Sequence, residues 1–124
     1  MLETTLLSFD DPGLAARLPL LTDSELDRLP FGVVEMNQAG HVVRYNATES
    51  RYTGLSRDRV VGRHFFQEVA PCSNNRHVAG RYGQVALDET LEYTFALRLK
   101  PVPVRLRLLK VVGRTHMFLL VKWT

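Results

Sequence analysis

Three stretches in the last third of the chain alternate apolar and polar residues with the two-residue period of a half-buried β-strand. In Leu91–Leu99, Leu91, Tyr93, Phe95, Leu97 and Leu99 share one face, and Glu92, Thr94, Ala96 and Arg98 share the other. Val102–Val112 repeats the pattern, with Val104, Leu106 and Leu108 opposed to Arg105 and Arg107. Thr115–Trp123 is the third, and Gly113-Arg114 turns the chain into it. Pro101 and Pro103 mark a strand edge or a bulge, because proline donates no ladder hydrogen bond.

Two more strands precede these. Phe31–Met36 and His41–Tyr45 flank the turn Asn37-Gln38-Ala39-Gly40, which makes a hairpin with a four-residue loop. Asn46 then begins a helix that Gly54 closes, and Glu49 stands three residues on, at capping-box spacing. Ser56 caps a second short helix, Arg57–Val61, closed by Gly62, and His64–Val69 reads as one more helical turn. Val78, Tyr82, Val85 and Ala86 lie close to helical spacing, so a longer helix is expected over Val78–Leu87. Ahead of all this, residues 1–30 read as a helical leader. Pro19 prevents one long helix through Leu14, Leu18, Leu20 and Leu21, and Thr22 or Asp23 caps Ser24–Leu29 before Pro30. Five strands with helices over one face is an α+β architecture. The expected division is a cap at 1–30 and a core at 31–124.

Charge supports a leader that docks on the body. Residues 1–30 hold six acids (Glu3, Asp10, Asp11, Asp23, Glu25, Asp27) against Arg17 and Arg28, whereas the remainder holds seven acids against fourteen lysines and arginines. The basic residues are scattered and form no dense cluster, which argues against nucleic-acid binding. With 45% apolar and 23% charged residues in 124, the composition is that of one globular domain. No apolar run approaches the roughly 20 residues of a membrane span. The start of the chain lacks a basic secretory signal, so a cytoplasmic location is expected. The four histidines (His41, His64, His77, His116) are widely spaced and suggest no metal site.

The lone cysteine, Cys72, follows Pro71 and precedes the turn-favouring Ser73-Asn74-Asn75. With no second cysteine it makes no internal disulfide. It is either a small buried hydrophobe or a thiol placed for chemistry.

Several words of this sequence together carry a resemblance. They are Leu29-Pro30-Phe31-Gly32, Tyr45-Asn46-Ala47, Glu49, Thr53-Gly54, Val61-Gly62, Phe65-Phe66, Val69-Ala70-Pro71-Cys72 and Glu92-Tyr93-Thr94-Phe95. They resemble the PAS-domain family and, within it, the photoactive yellow proteins, over residues 22–124 well and the leader loosely. The resemblance implies a PAS fold, with a five-stranded antiparallel sheet, helices on one face and an N-terminal helical cap. It implies a blue-light photoreceptor rather than an enzyme, with p-coumaric acid (4-hydroxycinnamic acid) joined to Cys72 as a thioester. Tyr45 and Glu49 would hold the phenolate end, Thr53 would orient Tyr45, and Phe95 and Leu99 would border the pigment. Light would isomerise its double bond, Glu49 would give up a proton, and the buried charge left behind would partly unfold the domain and release the leader.

Each of these residues also has a plainer reading: Tyr45 as a core aromatic, Glu49 as the capping partner of Asn46, Thr53 as a helix end. The sequence departs from the family at two places. Leu55 stands where its best-known members have an arginine over the pocket. Leu99 replaces a methionine associated with fast return to the dark state, so slow recovery is expected. Arg51 or Arg98 are candidates to compensate for Leu55. The competing readings are a chromophore-free PAS module that binds a partner or a second copy of itself, and an enzyme pairing Cys72 with His64 or His77. No orienting third group favours the enzyme. With no output domain in the chain, a signal is expected to reach a separate downstream protein or to act through a homodimer.

Overall fold

The computed structural model describes residues 7–97 and 100–123. The strands are β1 (Gly32–Asn37), β2 (Val42–Tyr45), β3 (Leu87–Leu97), β4 (Lys100–Lys110) and β5 (His116–Trp123). They form one sheet in the order β2-β1-β5-β4-β3. Every neighbouring pair is antiparallel. The alternating stretches fall on β3, β4 and β5, as expected. Among the described residues, Pro101 and Pro103 lie beyond the last β4–β5 pair, Val104 with Trp123, so no described partner on that side asks for their missing N–H.

The two central strands, β1 and β5, are buried on both faces, which explains their nearly unbroken apolar sequence. One face carries Val34, Met36, Leu119 and Val121, packed with Phe65, Phe66, Tyr82 and Phe95. This is the side of the short helices α3 (Ala47–Thr53) and α4 (Arg57–Val60) and of the single wide turn Phe65–Val69. The opposite face carries Val33, Phe118 and Leu120. Leu14, Leu18, Leu26, Leu29 and Phe31 cover it, supplied by the leader through α1 (Leu14–Arg17), the tight turn Leu18–Leu20 and α2 (Asp23–Asp27). Each of these leucines is 0–1% exposed. Burying one such side chain contributes about 1.5–3 kcal/mol.

The leader's helices form as its local signals require. Pro19 falls in the first turn of Leu18–Leu20, where a missing N–H is harmless. Thr22 caps α2 in a full capping box with Glu25. What attaches the leader to the sheet is only partly its acids. Asp27 pairs with Arg57 at 2.8 Å and Asp23 with Arg44 at 3.5 Å, both near solvent, where such pairs contribute little. The buried links use leader carbonyls. Arg107, 4% exposed, donates through Nη1 to the carbonyls of Phe9 (2.9 Å) and Asp11 (2.7 Å), while Nε and Nη2 grip the Asp88 carboxylate at 2.9 and 3.0 Å. Arg44 donates to the carbonyls of Leu21 (2.6 Å) and Leu18 (3.2 Å) and pairs with buried Glu35. Strand alternation gave Arg107 a solvent-facing polar position; the leader covers that face and turns the position into a buried anchor.

The expected helix over Val78–Leu87 does not form. Ala79–Gly83 makes a tight helical turn, and β3 begins at Leu87. Asn75 Oδ1 accepts from the N–H groups of His77 and Val78 (2.9 and 3.1 Å), which starts the turn. Gly80 and Gly83 weaken any continuation, and pairing of β3 with β4 from Leu87 onward draws the rest into the sheet. Among the described residues no helix is long and apolar enough to cross a membrane.

The anchor can be tested. Arg107→Met leaves the Phe9 and Asp11 carbonyls without their buried donor and should lower unfolding free energy by about 2–4 kcal/mol in urea titrations. Amide exchange in residues 9–18 should rise well before exchange in β5. Equal protection of both segments in the variant would show that the anchor does not hold the leader.

Candidate functional site

Cys72 does not lie in the core: it is exposed. Pro71–Ser73 forms one tight helical turn. Its main chain is held from the strand side. The Cys72 carbonyl accepts from Tyr93 Oη at 2.6 Å and from Asn75 Nδ2 at 3.2 Å, and the same Asn75 nitrogen donates to Tyr93 Oη at 2.8 Å. Ser73, fully buried, closes the loop through Oγ to the Ala70 carbonyl at 2.7 Å. The backbone beside the thiol is therefore fixed by polar contacts, while the sulfur itself borders a cavity.

That cavity measures about 250 Å³. Pro71, Cys72, Tyr45, Glu49 and Thr53 all line it. Phe65, Phe95 and Trp123 supply apolar wall, and Leu55 borders it too. It is mainly apolar with a few convergent polar groups, the usual make-up of a small-molecule site. Five of the six residues singled out from the sequence (Cys72, Tyr45, Glu49, Thr53 and Phe95) meet here. Leu99, the sixth, and Arg98 lie outside the described residues. Arg51 reaches Thr48 Oγ1 at 3.4 Å and does not border the cavity. Nor do His64 or His77; the His64 ring packs edge-on against His41 at 5.4 Å.

The polar part depends on how α3 begins. Asn46 Oδ1 caps the helix by accepting from the Glu49 N–H at 3.0 Å, as its spacing predicts. The second half of a capping box is missing: the Glu49 carboxyl does not return to the Asn46 backbone. Asn46 N–H is taken by the Val33 carbonyl at 3.1 Å. Glu49 instead points inward, 2% exposed, and its Oε1 accepts the indole N–H of Trp123 at 2.7 Å. Gly32 of β1 makes this possible. A Cβ at that position would collide with the Glu49 carboxyl and lie 3.2 Å from its Cβ. Burial pushes the Glu49 carboxyl up to about 8, against a smaller opposing effect of the Trp123 hydrogen bond, so the group is largely neutral at pH 7.

Tyr45 is likewise 2% exposed, and its Oη lies 2.9 Å from Thr53 Oγ1. Thr53 Oγ1 is also 2.9 Å from the Glu49 carbonyl and accepts from Leu55 N–H at 3.2 Å. Burial, with the Glu49 charge second, holds the Tyr45 phenol well above its usual range, opposed by the Thr53 contact. The site thus gathers two neutral acids, one oriented by a threonine and one by an indole. It stands ready to hydrogen-bond an anion that enters. Among the described residues no group of three or more His, Cys, Asp or Glu is placed to hold a metal ion.

Three members of this site escaped the sequence reading: Gly32, Asn75 and Trp123. Trp123 was assigned only to the last strand. Counting alternate residues back through Val121, Leu119 and Met117 places its ring on the cavity face, where a buried indole N–H needs an acceptor.

Comparison with known proteins places this architecture. Residues 21–121 match the PAS fold family model. The photoactive yellow protein of Halochromatium salexigens is 29% identical over 121 residues, covering 94% of this chain and 97% of that protein. The photoactive yellow protein of Rhodobacter capsulatus is 31% identical over 105 residues, covering 80% of each. Among solved structures, the photoactive yellow protein domain of the sensor histidine kinase Ppr from Rhodospirillum centenum superposes with a TM-score of 0.81 at 32% identity. The match spans 87% of this chain and 98% of that one. The chain belongs to the PAS fold family and, within it, to the photoactive yellow proteins.

Proposed function

We propose that the chain is a blue-light receptor that carries p-coumaric acid as a thioester on Cys72 in the cytoplasm. The observation that carries this reading is one cavity bordered both by an exposed thiol and by a buried, neutral Glu49 beside Tyr45. Bound there, the pigment supplies a phenolate that absorbs visible light and a double bond that light isomerises.

The chain's own residues do the rest. The Cys72 sulfur attaches the acyl end, and its main-chain N–H is the donor for the adjoining carbonyl. Tyr45 and Glu49 donate O–H groups toward the phenolate end. Hydrogen bonds to a charged acceptor are about twice as strong as neutral ones, which offsets the desolvation of the anion. Thr53 has one hydroxyl proton and two acceptors in reach, Tyr45 Oη and the Glu49 carbonyl. When it turns to Tyr45, the Tyr45 proton is free to face the cavity. Phe65 and Phe95 exclude water, and Leu55 adds no donor. Leu99, by its resemblance, sets a slow return to the dark state.

Glu49 then loses its proton from a carboxyl oxygen into the cavity. What remains is a carboxylate with 2% exposure and, among the described residues, no cationic partner, a state costing several kcal/mol. Glu49 sits on the first turn of α3, whose cap residue Asn46 bonds the carbonyls of Leu26 and Phe31 (2.8 and 3.1 Å). Strain at α3 therefore reaches the leader directly. Residues 1–30 act as the cap that loosens, 31–124 as the core that stays folded. The released surface signals to a downstream protein or to a second copy of the chain.

Two measurements test this reading. Incubation with activated p-coumaric acid should give a yellow, light-bleachable protein with the mass gain of one thioester, and Cys72→Ser should give neither. Folded wild-type protein that forms no adduct favours a chromophore-free interaction module, and turnover without colour favours an enzyme. Second, the chromophore-free protein should reveal the protonated acid. Its folded-state value of about 8 lies above the ordinary 4.5. The stabilising contribution is therefore complete below about 4.5 and disappears as pH rises through about 8. Unfolding free energy of the wild type relative to Glu49→Gln should fall by a few kcal/mol across that window, at about 1.4 kcal/mol per unit. Parallel curves for the two proteins would remove Glu49 as the proton donor.

A further inference from the structure

Trp123 ends β5 opposite Val104 and is 9% exposed. It is the only tryptophan of the chain. Three contacts fix its ring. Tyr52 stacks flat upon it, with centroids 5.1 Å apart and planes 5° from parallel. Phe95 packs against it at 5.9 Å and 33°. Its Nε1–H meets Glu49 Oε1 at 2.7 Å. Tyr52 lies on α3, three residues beyond Glu49, so the helix that carries the acid also carries the plate that holds the indole in plane. A stack of this kind adds about 0.5–1.5 kcal/mol beyond area burial. The stack leaves Tyr52 46% exposed, an aromatic kept at the surface by its contact with Trp123.

The consequence is chemical. An indole nitrogen donates and never accepts. The oxygen it holds, Oε1, is therefore an acceptor, a role the carbonyl oxygen of a carboxyl fills better than its hydroxyl. We propose that Trp123 is the positioning residue for the Glu49 proton: it assigns the proton to Oε2 and supplies the one neutral N–H that steadies the carboxylate after the proton leaves. This inference rests on the reading of Glu49 as the proton donor and adds the residue that orients it. Among the described residues, the other groups facing the carboxyl are few. Gly32 of β1 brings no side chain, Tyr45 of β2 has its hydroxyl beside Thr53, and Phe95 of β3 is apolar. Cys72 borders the same cavity. The guanidinium of Arg51, on α3 itself, is engaged with Thr48.

The test uses the full chain without pigment, in a Cys72→Ser background so that no thiol contributes to the readout. Emission from the single tryptophan, followed against pH, should show a step with a midpoint near 8 that is absent in Glu49→Gln. The protonated-carboxyl infrared band of Glu49 should persist about one to two units further up the pH scale in Trp123→Phe, which keeps the ring but not the donor. Tyr52→Leu, which frees the ring but keeps the N–H, should move it less. An infrared midpoint near 8 that is the same in wild type and Trp123→Phe overturns the proposal and leaves Glu49 as donor. No carboxyl titration near 8 in the wild type overturns the donor reading itself. If Trp123→Phe fails to fold, the emission titration decides: a flat wild-type trace, or a step that survives in Glu49→Gln, overturns the proposal.

Discussion

The buried carboxamide of Asn46 joins three parts of the molecule that are far apart in sequence. Its Oδ1 accepts from Val33 N–H of β1 at 2.9 Å and from Glu49 N–H of α3 at 3.0 Å. Its Nδ2 donates to the carbonyls of Leu26, at the end of the leader, and Phe31, at the entry to β1. All four bonds an asparagine amide can make to main-chain groups are filled, at 2% exposure. An aspartate would cap α3 equally well but would offer no donors to the leader, so the choice of residue reflects both functions. Because the Val33 carbonyl takes the Asn46 N–H and the Asn46 amide oxygen takes the Glu49 N–H, the Glu49 side chain is spared from capping and can turn into the cavity. The site and the attachment of the leader thus depend on one side chain.

How far this was legible in the sequence depends on the range of the contacts involved. Asn46, Glu49 and Gly54 declared α3, because caps and a left-handed glycine (φ 77°) act within a few residues. The alternation of β3, β4 and β5 gave the sheet, and the family words brought Cys72, Tyr45, Glu49, Thr53 and Phe95 to one place. Of the two readings open for Glu49, capping partner or cavity acid, local spacing could not choose, since the choice involves a partner 74 positions away, Trp123. The Val78–Leu87 helix was misjudged for a related reason. Its apolar spacing is real and buries Val78 and Tyr82, but one turn suffices for that, and the long β3–β4 ladder takes over from Leu87. Arg107 shows the same limit from the other side. Alternation placed it correctly on the back face of β4, and nothing local told that this face would be roofed by residues almost a hundred positions earlier.

The sheet keeps one acid buried on each face, and their surroundings differ. Glu35 of β1 points to the leader side at 5% exposure, where Arg44 and His116 Nδ1 (2.5 Å) hold its two oxygens. Glu49 points into the opposite side, where among the described residues the Trp123 indole is its one side-chain donor. A carboxylate gripped by a guanidinium in a charge-assisted bond resists change, because losing either partner strands a buried charge. The Glu49 carboxyl, beside that neutral N–H, is kept largely protonated by its burial.

This asymmetry orders the molecule's response. The Glu35–Arg44 pair is also the pair that grips the Leu18 and Leu21 carbonyls of the leader, so the leader is latched on a side whose charges are already matched. On the proposed function, a charge arising at Glu49 acts along α3, through the Asn46 cap, on the Leu26 and Phe31 carbonyls rather than on that latch across the sheet. The first half of the leader is held by Arg107 and Arg44, and its second half by the start of α3: the Asn46 amide on the Leu26 carbonyl, Ala47 N–H on the Asp27 carboxylate and Thr48 Oγ1 on the Leu29 carbonyl, with Arg57 on Asp27. On the proposed function, loosening therefore starts at α2 and runs back toward Phe9.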